Sequence, residues 1–582
     1  MVLAGALLVG AVQGAMASSP LNYTVTTSLT TRATGLGPNH DQYCDIVYDL
    51  YVPNSASPKH RVPSVLTTNG FGGSKNDQSG FAGMLASHGY VVISYSGLGF
   101  GGSSCAIAVD SPEWDGRAAS HMVDLLAARN DVIKDGPNDP RVGTWGGSYG
   151  GGFQFALASQ DSRVDAMIPI ITWNDLAYSL IPNNDSKFFN YAASPPGVEK
   201  VEWSSLFFAD GNAQVALNAG KSGWISGNPP NPQCPGFIPQ VCLINTESLA
   251  VGYGTADTTA FLRHASAEYE FFQNPAVKRF PPTMLVQGET DSLFNIQDAV
   301  ANYHGFKAHH APVKLVLQLG GHSGPGAAGE VNHTDISKGY EDQLWLNWFD
   351  HYLKKLPVST GPEVEYFRDW VPYDPTGSAQ AAYGSAPAWP VGSARSLYLS
   401  SDGTLASSTA GIKAGAVSFF NPPNGSPSSY SETSGQQTSS PFSGIAPSDP
   451  PNTFAAFSTP ALTSDVISVG IPSVTFRIQG LNPVSPDPST EIVLFGKIYD
   501  VAPDGSVNLV HRLVAPIRIA DTFNPVHLNL PGVVHKYAAG HRIELVLATT
   551  DQAYVGARTP NQYTITIDPA DPFVLSLPVS SS

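Results

Sequence analysis

Ser148 stands in the run Gly146-Gly147-Ser148-Tyr149-Gly150, which fits G-x-S-x-G. The strand-like residues Val142-Gly143-Thr144-Trp145 come directly before it, and a segment compatible with a helix follows from Gly151. A serine on a tight strand-to-helix turn projects its hydroxyl above a sheet, and flanking residues without side chains make room for so sharp a turn. The helix N-terminus behind it favours developing negative charge. The chemistry this suits is nucleophilic attack on a carbonyl carbon. A chain with 56 glycines can produce the pattern as a plain turn, but the strand–turn–helix setting favours the nucleophile.

A hydroxyl needs a base, and the base needs a group that orients it. Where such a turn carries a nucleophile, the chain order is Ser, acid, His. Asp291 lies on the loop after the strand Thr283-Met284-Leu285-Val286-Gln287-Gly288, with Glu289 and Asp298 as rivals on the strand end and the following helix. His322, in Gly320-Gly321-His322-Ser323-Gly324, follows the strand Val313 to Leu319; His309 and His310 precede that strand and read as solvent-facing. An oxyanion needs donors as well. The N–H of Tyr149, next after the serine, is one. The turn Asn69-Gly70-Phe71-Gly72-Gly73 offers the other, with Phe71 N–H preferred and Gly70 close behind; the bland alternative is a glycine-rich turn without a role. Gly97-Leu98-Gly99-Phe100-Gly101-Gly102 matches a dinucleotide fingerprint, but Ser103-Ser104-Cys105 and a loop to Pro112 follow where a helix should begin. It reads as a flexible loop beside the site. No phosphate-binding loop and no H-E-x-x-H motif occurs, so no cofactor and no metal is expected.

The elements that must hold these residues follow from periodicity. Between about residue 40 and 355, strand-like and helix-like segments alternate: Val62–Thr68, then Phe81, Met84, Leu85 and His88 at helical spacing; Tyr90–Tyr95, then Met122, Leu125, Leu126 and Ile133; Arg141–Trp145, then Phe153–Ala158. Such alternation implies a mostly parallel sheet with helices on both faces. Residues 173–278, rich in Asn, Pro and aromatics, break the rhythm and read as a cap inserted above the strand ends, where open α/β sheets bind ligands. The α/β region therefore comprises 18–172 and 279–356, closed by a helix carrying Leu344, Trp348 and Tyr352. Residues 357–582 begin as a crossover rich in Pro, Gly and Ser, pass a low-complexity run from Asn421 to Asn452, and then alternate with period two. Val474-Phe476-Ile478, Val526-Leu528-Leu530 and Ile543-Leu545-Leu547 show it, and Asp504-Gly505 marks a hairpin. That pattern implies an antiparallel β-sandwich.

Composition narrows the function. Charged residues are 13% of the 582, the formal net charge is −17, and the isoelectric point is near 5.2. A chain without basic runs is a poor nucleic-acid binder, because phosphate neutralisation needs clustered Lys and Arg. Residues 1–17 read as a signal peptide: Val2 to Ala17 are almost wholly small or apolar, and Ala15-Met16-Ala17 fits the small-x-small cleavage pattern, although no Lys or Arg precedes the run. No other stretch is long enough to span a bilayer. An exported protein without a membrane span is expected, of undetermined oligomeric state. Cys234 and Cys242 flank a Pro/Gly-rich loop and would close a local disulfide, which leaves Cys44 to pair with Cys105; this is one of three connectivities, and four buried free thiols is the alternative.

Several of these segments resemble the X-Pro dipeptidyl-peptidase-like and cocaine esterase-like hydrolases. The resemblance rests on Asn69-Gly-Phe-Gly-Gly-Ser-Lys75, Asp139-Pro-Arg-Val-Gly-Thr-Trp-Gly-Gly-Ser-Tyr-Gly150, and the Asp291 and His322 loops. Trp348-Phe-Asp-His-Tyr-Leu-Lys354 and the crossover from Trp389-Pro to Leu397-Tyr-Leu-Ser-Ser-Asp-Gly403 extend it, so it runs from about residue 40 to the C-terminus. It implies an α/β-hydrolase fold with a helical cap, a C-terminal jelly-roll β-sandwich, and a serine hydrolase acting on small ester, amide or peptide substrates without a cofactor. Ser148, Asp291 and His322 fall on the family's triad positions and Tyr149 on its oxyanion N–H. Cocaine esterase-like members bring a tyrosine hydroxyl into the oxyanion hole from the first loop, where Phe71 has none. X-Pro dipeptidyl-peptidases use acidic and tyrosine groups to hold the substrate's free amine, and no counterpart is read here. The expectation is a two-step acyl transfer, with Xaa-Pro dipeptidyl-peptidase and a non-catalytic surface- or glycan-binding protein as alternatives.

Overall fold

The structure, a computed structural model, describes residues 21–185, 196–218, 231–423, 449–482 and 487–580. The signal-peptide reading and most of the low-complexity run lie outside these residues.

Ten strands form one sheet: β1 (Tyr23–Leu36), β2 (Gln42–Pro53), β3 (Ser64–Thr68), β4 (Val91–Tyr95), β5 (Val142–Gly147), β6 (Val164–Ile170), β7 (Thr283–Gly288), β8 (Val313–Gln318), β9 (Val364–Phe367) and β10 (Tyr383–Ala386). Their order is β1-β2-β4-β3-β5-β6-β7-β8-β9-β10, and every neighbouring pair from β4 to β9 is parallel. Both faces of this central part are covered, so its strands are short and almost wholly buried. Successive side chains point to opposite faces. Val65, Val92, Ile168, Met284 and Val316 pack under α1 (Ser79–Ser87) and α9 (Tyr340–Tyr352). Leu66, Ile93, Met167, Leu285 and Leu315 pack under α2 (Arg117–Ala127), α3 (Tyr149–Gln160) and α8 (Ile296–Ala308).

Between β6 and β7 the chain builds the cap from α4 (Leu176–Leu180), α5 (Val201–Leu217), α6 (Pro239–Val251) and α7 (Ala256–His264). From Ser393 onward all strand-to-strand ladders are antiparallel, in sheets that enclose a core of their own. All nine residues of the alternating sets are buried there, Val474, Phe476, Leu528, Leu545 and Leu547 among them. Ile492–Val501 and Val507–Leu509 pair around Asp504-Gly505 as a hairpin. This is an α/β-hydrolase fold followed by a β-sandwich.

Three sequence expectations change. Val364–Phe367 and Tyr383–Ala386 join the first sheet, so that region extends past residue 356 to about 386. Their brevity within a Pro/Gly-rich stretch hid them. The β1–β2 hairpin precedes the first strand that periodicity revealed; much of β1 is exposed, so it carries little apolar alternation. Ile133 falls outside α2, which ends at Ala127, because its backbone N–H pairs with Val62 beside β3.

The sandwich grips the rest of the molecule. Gln297 of α8 donates to Leu530 O at 2.8 Å and accepts from Gly532 N at 3.0 Å. The cap's Glu199 O accepts from Val555 N at 3.0 Å, and Arg512 reaches Ser323 O, beside His322, at 2.9 Å. Disulfides join Cys44 to Cys105 and Cys234 to Cys242, with Cα separations of 5.7 and 5.8 Å. The first ties β2 to the loop after β4 across 61 residues of chain. Closing a loop of that size restricts the unfolded chain by roughly 4 kcal/mol. The double variant Cys44→Ala, Cys105→Ala is therefore expected to lose about 2–5 kcal/mol, read as a lower midpoint in thermal or urea unfolding. An unchanged midpoint would remove the linkage from the stabilising features. Among the described residues, no helix is long and apolar enough to cross a membrane.

Candidate active site

Four strand ends converge. The loops after β3, β5, β7 and β8 carry Phe71, Ser148, Asp291 and His322, the crevice where an open α/β sheet holds its ligand.

Ser148 has φ 58° and ψ −122°, a conformation L-residues adopt at a cost of order 1–3 kcal/mol. Its neighbours explain how the turn closes. A Cβ on Gly146 would lie 2.3 Å from Gly150 O, and one on Gly150 would lie 2.7 Å from Thr68 O. Both obstacles are backbone, so neither position accepts a side chain without opening the turn. Ser148 N–H donates to Ile170 O at 2.9 Å, fixing the turn to β6, and Gly151 N and Gly152 N bond Ser148 O to start α3.

The hydroxyl meets an ordered relay. His322 Nε2 lies 2.7 Å from Ser148 Oγ, and its Nδ1 lies 2.7 Å from Asp291 Oδ2. Asp291 is fully buried; its other oxygen, Oδ1, accepts from Leu293 N at 3.0 Å and Phe294 N at 2.9 Å. The His322 ring is held edge-on by Phe294 and Trp203. An imidazole so placed can take the serine proton while the carboxylate fixes its tautomer. Glu289 and Asp298, the rival acids, lie elsewhere. Glu289 accepts from Phe367 N, and burial keeps its carboxyl well above the usual range. Asp298 accepts from Asn174 N and Ser179 Oγ. His309 and His310 are exposed.

The residues expected at the oxyanion flank Ser148. Tyr149 is the first residue of α3, so its N–H has no intrahelical acceptor. Its ring is locked behind the site: the hydroxyl accepts from Asp110 N at 2.9 Å and faces Asp115. Burial holds the Asp110 and Asp115 carboxyls well above the ordinary range. Gly70-Phe71-Gly72-Gly73 is a turn closed by Gly73 N–H to Gly70 O at 3.1 Å, with Gly72 at φ +81°. A positive φ at the third turn position is what a type II turn requires of glycine. The turn's own bond uses the N–H of Gly73 and not that of Phe71. Gly70 is close to the nucleophile, since a Cβ there would lie 3.9 Å from Ser148 Cβ.

Two features escaped the residue-by-residue reading. Lys75, at the end of the Asn69–Lys75 motif, forms a buried ion pair with Asp49 of β2 at 2.9 Å, and Ser94 Oγ donates to its backbone oxygen. This pins the oxyanion-side turn; the alternation of β2 alone gives no sign that Asp49 faces inward. The Gly97–Gly102 loop is not free but tied down. Gly97 N donates to Asn69 Oδ1, and Asn218, after α5, bonds both Gly99 O and Gly102 N.

Ser148 borders two spaces. One is an apolar cavity of about 120 Å³, walled by Phe207, Phe208, Phe237, Phe261, Leu176 and Ile244. Glu199 also lines it, its carboxyl accepting from Ser204 Oγ and pushed up to about 7 by burial. The other is a wider cleft of about 620 Å³, lined by His322, Trp145, Trp203 and Trp345.

The sequence matches the family described as X-Pro dipeptidyl-peptidase (S15 family) over residues 43–187, which include Ser148 and the Phe71 turn. Residues 362–577 match the X-Pro dipeptidyl-peptidase C-terminal non-catalytic domain. No curated protein matches the chain. Among solved structures, an aminopeptidase from a marine sediment Thaumarchaeota archaeon superposes with a TM-score of 0.64 at 14% identity, covering 96% of this chain and 97% of the other. An α-amino acid ester hydrolase gives 0.64 at 14% identity over 99% and 100% of the two chains. A CocE/NonD family hydrolase from Staphylococcus aureus gives 0.59 at 15% identity over 96% and 98%. At such identities the likeness speaks for the fold alone. The two family matches, spanning the nucleophile region and nearly all of the C-terminal region, decide the rest: the chain belongs to the X-Pro dipeptidyl-peptidase-like α/β-hydrolases, serine hydrolases acting on ester or amide bonds.

Proposed function

We propose that this protein is an exported carboxylesterase for apolar, uncharged acyl groups, with Ser148, His322 and Asp291 as its catalytic triad. Ser148 attacks the ester carbonyl, His322 takes the hydroxyl proton and passes it to the leaving alkoxide, and the acyl group stays on Ser148. Water, deprotonated by His322, then releases the acid. Asp291 orients the imidazole and stays ionised. The N–H groups of Tyr149 and Phe71 receive the oxyanion, each donor of this kind contributing ~2.7–4 kcal/mol. A backbone donor from residue 71 takes the place of the tyrosine hydroxyl used by relatives. Export rests on residues 1–17, and N-terminal sequencing of protein from the culture medium, expected to begin at Ser18, tests it.

The observation that carries the acyl preference is the phenylalanine-walled cavity touching Ser148. Its apolar lining favours burying an alkyl or aryl chain, at about 25 cal/mol per Å². Glu199 favours a second reading, a dipeptidyl-peptidase that holds a substrate amine. The two separate on p-nitrophenyl butyrate and Ala-Pro-p-nitroanilide. The ester is expected to turn over and the anilide not. Under the second reading the anilide-to-ester rate ratio would climb as pH rises through about 7, where Glu199 ionises, and Glu199→Gln would flatten the climb. That outcome would replace the esterase assignment.

A further inference from the structure

The wider cleft beside Ser148 holds a second histidine–aspartate pair. His333 lines it together with Ser148 and His322, and its Nδ1 lies 2.5 Å from Asp342 Oδ1. The Asp342 side chain is fully buried; that of His333 is 25% exposed. In the neutral ring the carboxylate holds the proton on Nδ1 and leaves the lone pair on Nε2. Among the described residues Nε2 has no protein partner. The ring cannot swing away freely, because it packs against Phe81, Trp145 and Trp345 at centroid distances of 6.0, 6.4 and 6.1 Å. The proton relay of Ser148 already has its base, so His333 is not needed there.

The cleft has further character. Trp145 and Trp345 stand edge to face at 5.3 Å, and Trp203 and Phe207 come from α5. No Lys or Arg is among its described lining residues, while Asp210 supplies a carboxylate on the cap side. Aromatic walls, acceptors from Asp210, Glu341 and His333, and no Lys or Arg suit a planar group that bears a donor and no negative charge. With the acyl chain in the phenylalanine-walled cavity, the cleft, which also borders Ser148, is the space assigned to the part of the substrate that departs.

We propose that His333, oriented by Asp342, is a specificity-determining residue that accepts a hydrogen bond from a hydroxylated aromatic leaving group seated in the cleft against its tryptophans. The inference rests on the esterase reading above. His322 still delivers the proton to the departing oxygen; His333 holds a hydroxyl remote from the scissile bond.

The test compares 3-hydroxybenzyl butyrate with 3-methoxybenzyl butyrate, which share acyl group, ring and a benzylic leaving alcohol. The second exchanges the hydroxyl donor for a methyl ether, and His333→Phe separates loss of the hydrogen bond from the size of the methyl group. The wild type is expected to favour the hydroxyl ester in kcat/KM by roughly three- to tenfold, the worth of one hydrogen bond. In His333→Phe, which keeps the ring and loses the acceptor, the ratio is expected to fall to about one. A wild-type ratio near one overturns the inference, and this needs no variant. A ratio that His333→Phe leaves unchanged overturns it too, even if both rates drop together, since a merely structural role lowers the two esters alike. Fluorophosphonate labelling of Ser148 is read in parallel. Turnover and labelling with no hydroxyl preference would sink this inference alone; no turnover of either ester and no labelling would sink the esterase reading with it.

Discussion

Ser148→Ala is expected to abolish labelling by a fluorophosphonate probe and to lower ester turnover by 10⁴–10⁶-fold, on the order seen when one member of such a triad is removed. The fold should survive. Alanine accommodates the φ of 58° no worse than serine does, and the features that make the turn are the glycines at 146 and 150 and the backbone bonds at Ser148 N and O, all independent of Oγ. Unchanged thermal unfolding with lost labelling is therefore the informative pair of results. Some turnover should remain, because Tyr149 and Phe71 can still polarise a bound carbonyl and the cavity still binds the acyl chain. In related systems that residue amounts to 10³–10⁴ over water. Equal labelling of wild type and variant would remove Ser148 from the mechanism.

How much of this was legible in the sequence depended on whether a feature is local. The nucleophile turn is local: glycines, preceding strand and following helix all lie within some twenty residues, and the structure places Ser148 where that pattern puts it. Asp291 and His322 became readable because each follows a short strand with an apolar centre, Met284–Val286 and Leu315–Leu317, and parallel strands deliver their C-terminal loops to one edge. The alternation of the sandwich strands was equally plain, since one face of each is buried. Features that depend on partners far along the chain were not legible. Asp49 pairs with Lys75, Arg512 reaches Ser323 across 189 residues, and Glu199 enters the cavity from a loop with no periodicity. His333 and Asp342 are nine residues apart, but nothing in that spacing says that a loop and a helix face bring them together beside Ser148. The short strands β9 and β10 failed for another reason: four residues each give too little alternation to distinguish a strand from a loop.

The second large effect concerns Asp291, and the structure says which way it must go. Replacing Asp291 by asparagine keeps size and shape and removes one charge. Asparagine could in principle present either its oxygen or its amide nitrogen to His322. Here the choice is made in advance. Oδ1 of Asp291 accepts two backbone N–H groups, from Leu293 and Phe294, and an amide nitrogen in that place would confront both donors. The carbonyl oxygen must therefore take the Oδ1 position, which leaves the NH₂ facing His322 Nδ1, 2.7 Å from the present Oδ2. Nδ1 then has to accept, so the ring proton moves to Nε2, where it confronts the Ser148 hydroxyl instead of receiving its proton. Asp291→Asn is expected to fold and to bind substrate with little change in KM while kcat falls about 10⁴-fold, the cost of holding the imidazole in the wrong tautomer. Loss of an ion pair alone would predict a different pattern, a much smaller fall in kcat, because an imidazole that kept its proton on Nδ1 could still take the serine proton. A variant whose kcat stays within about tenfold of the wild type would show that Asp291 acts through its charge and not through the direction of its hydrogen bond.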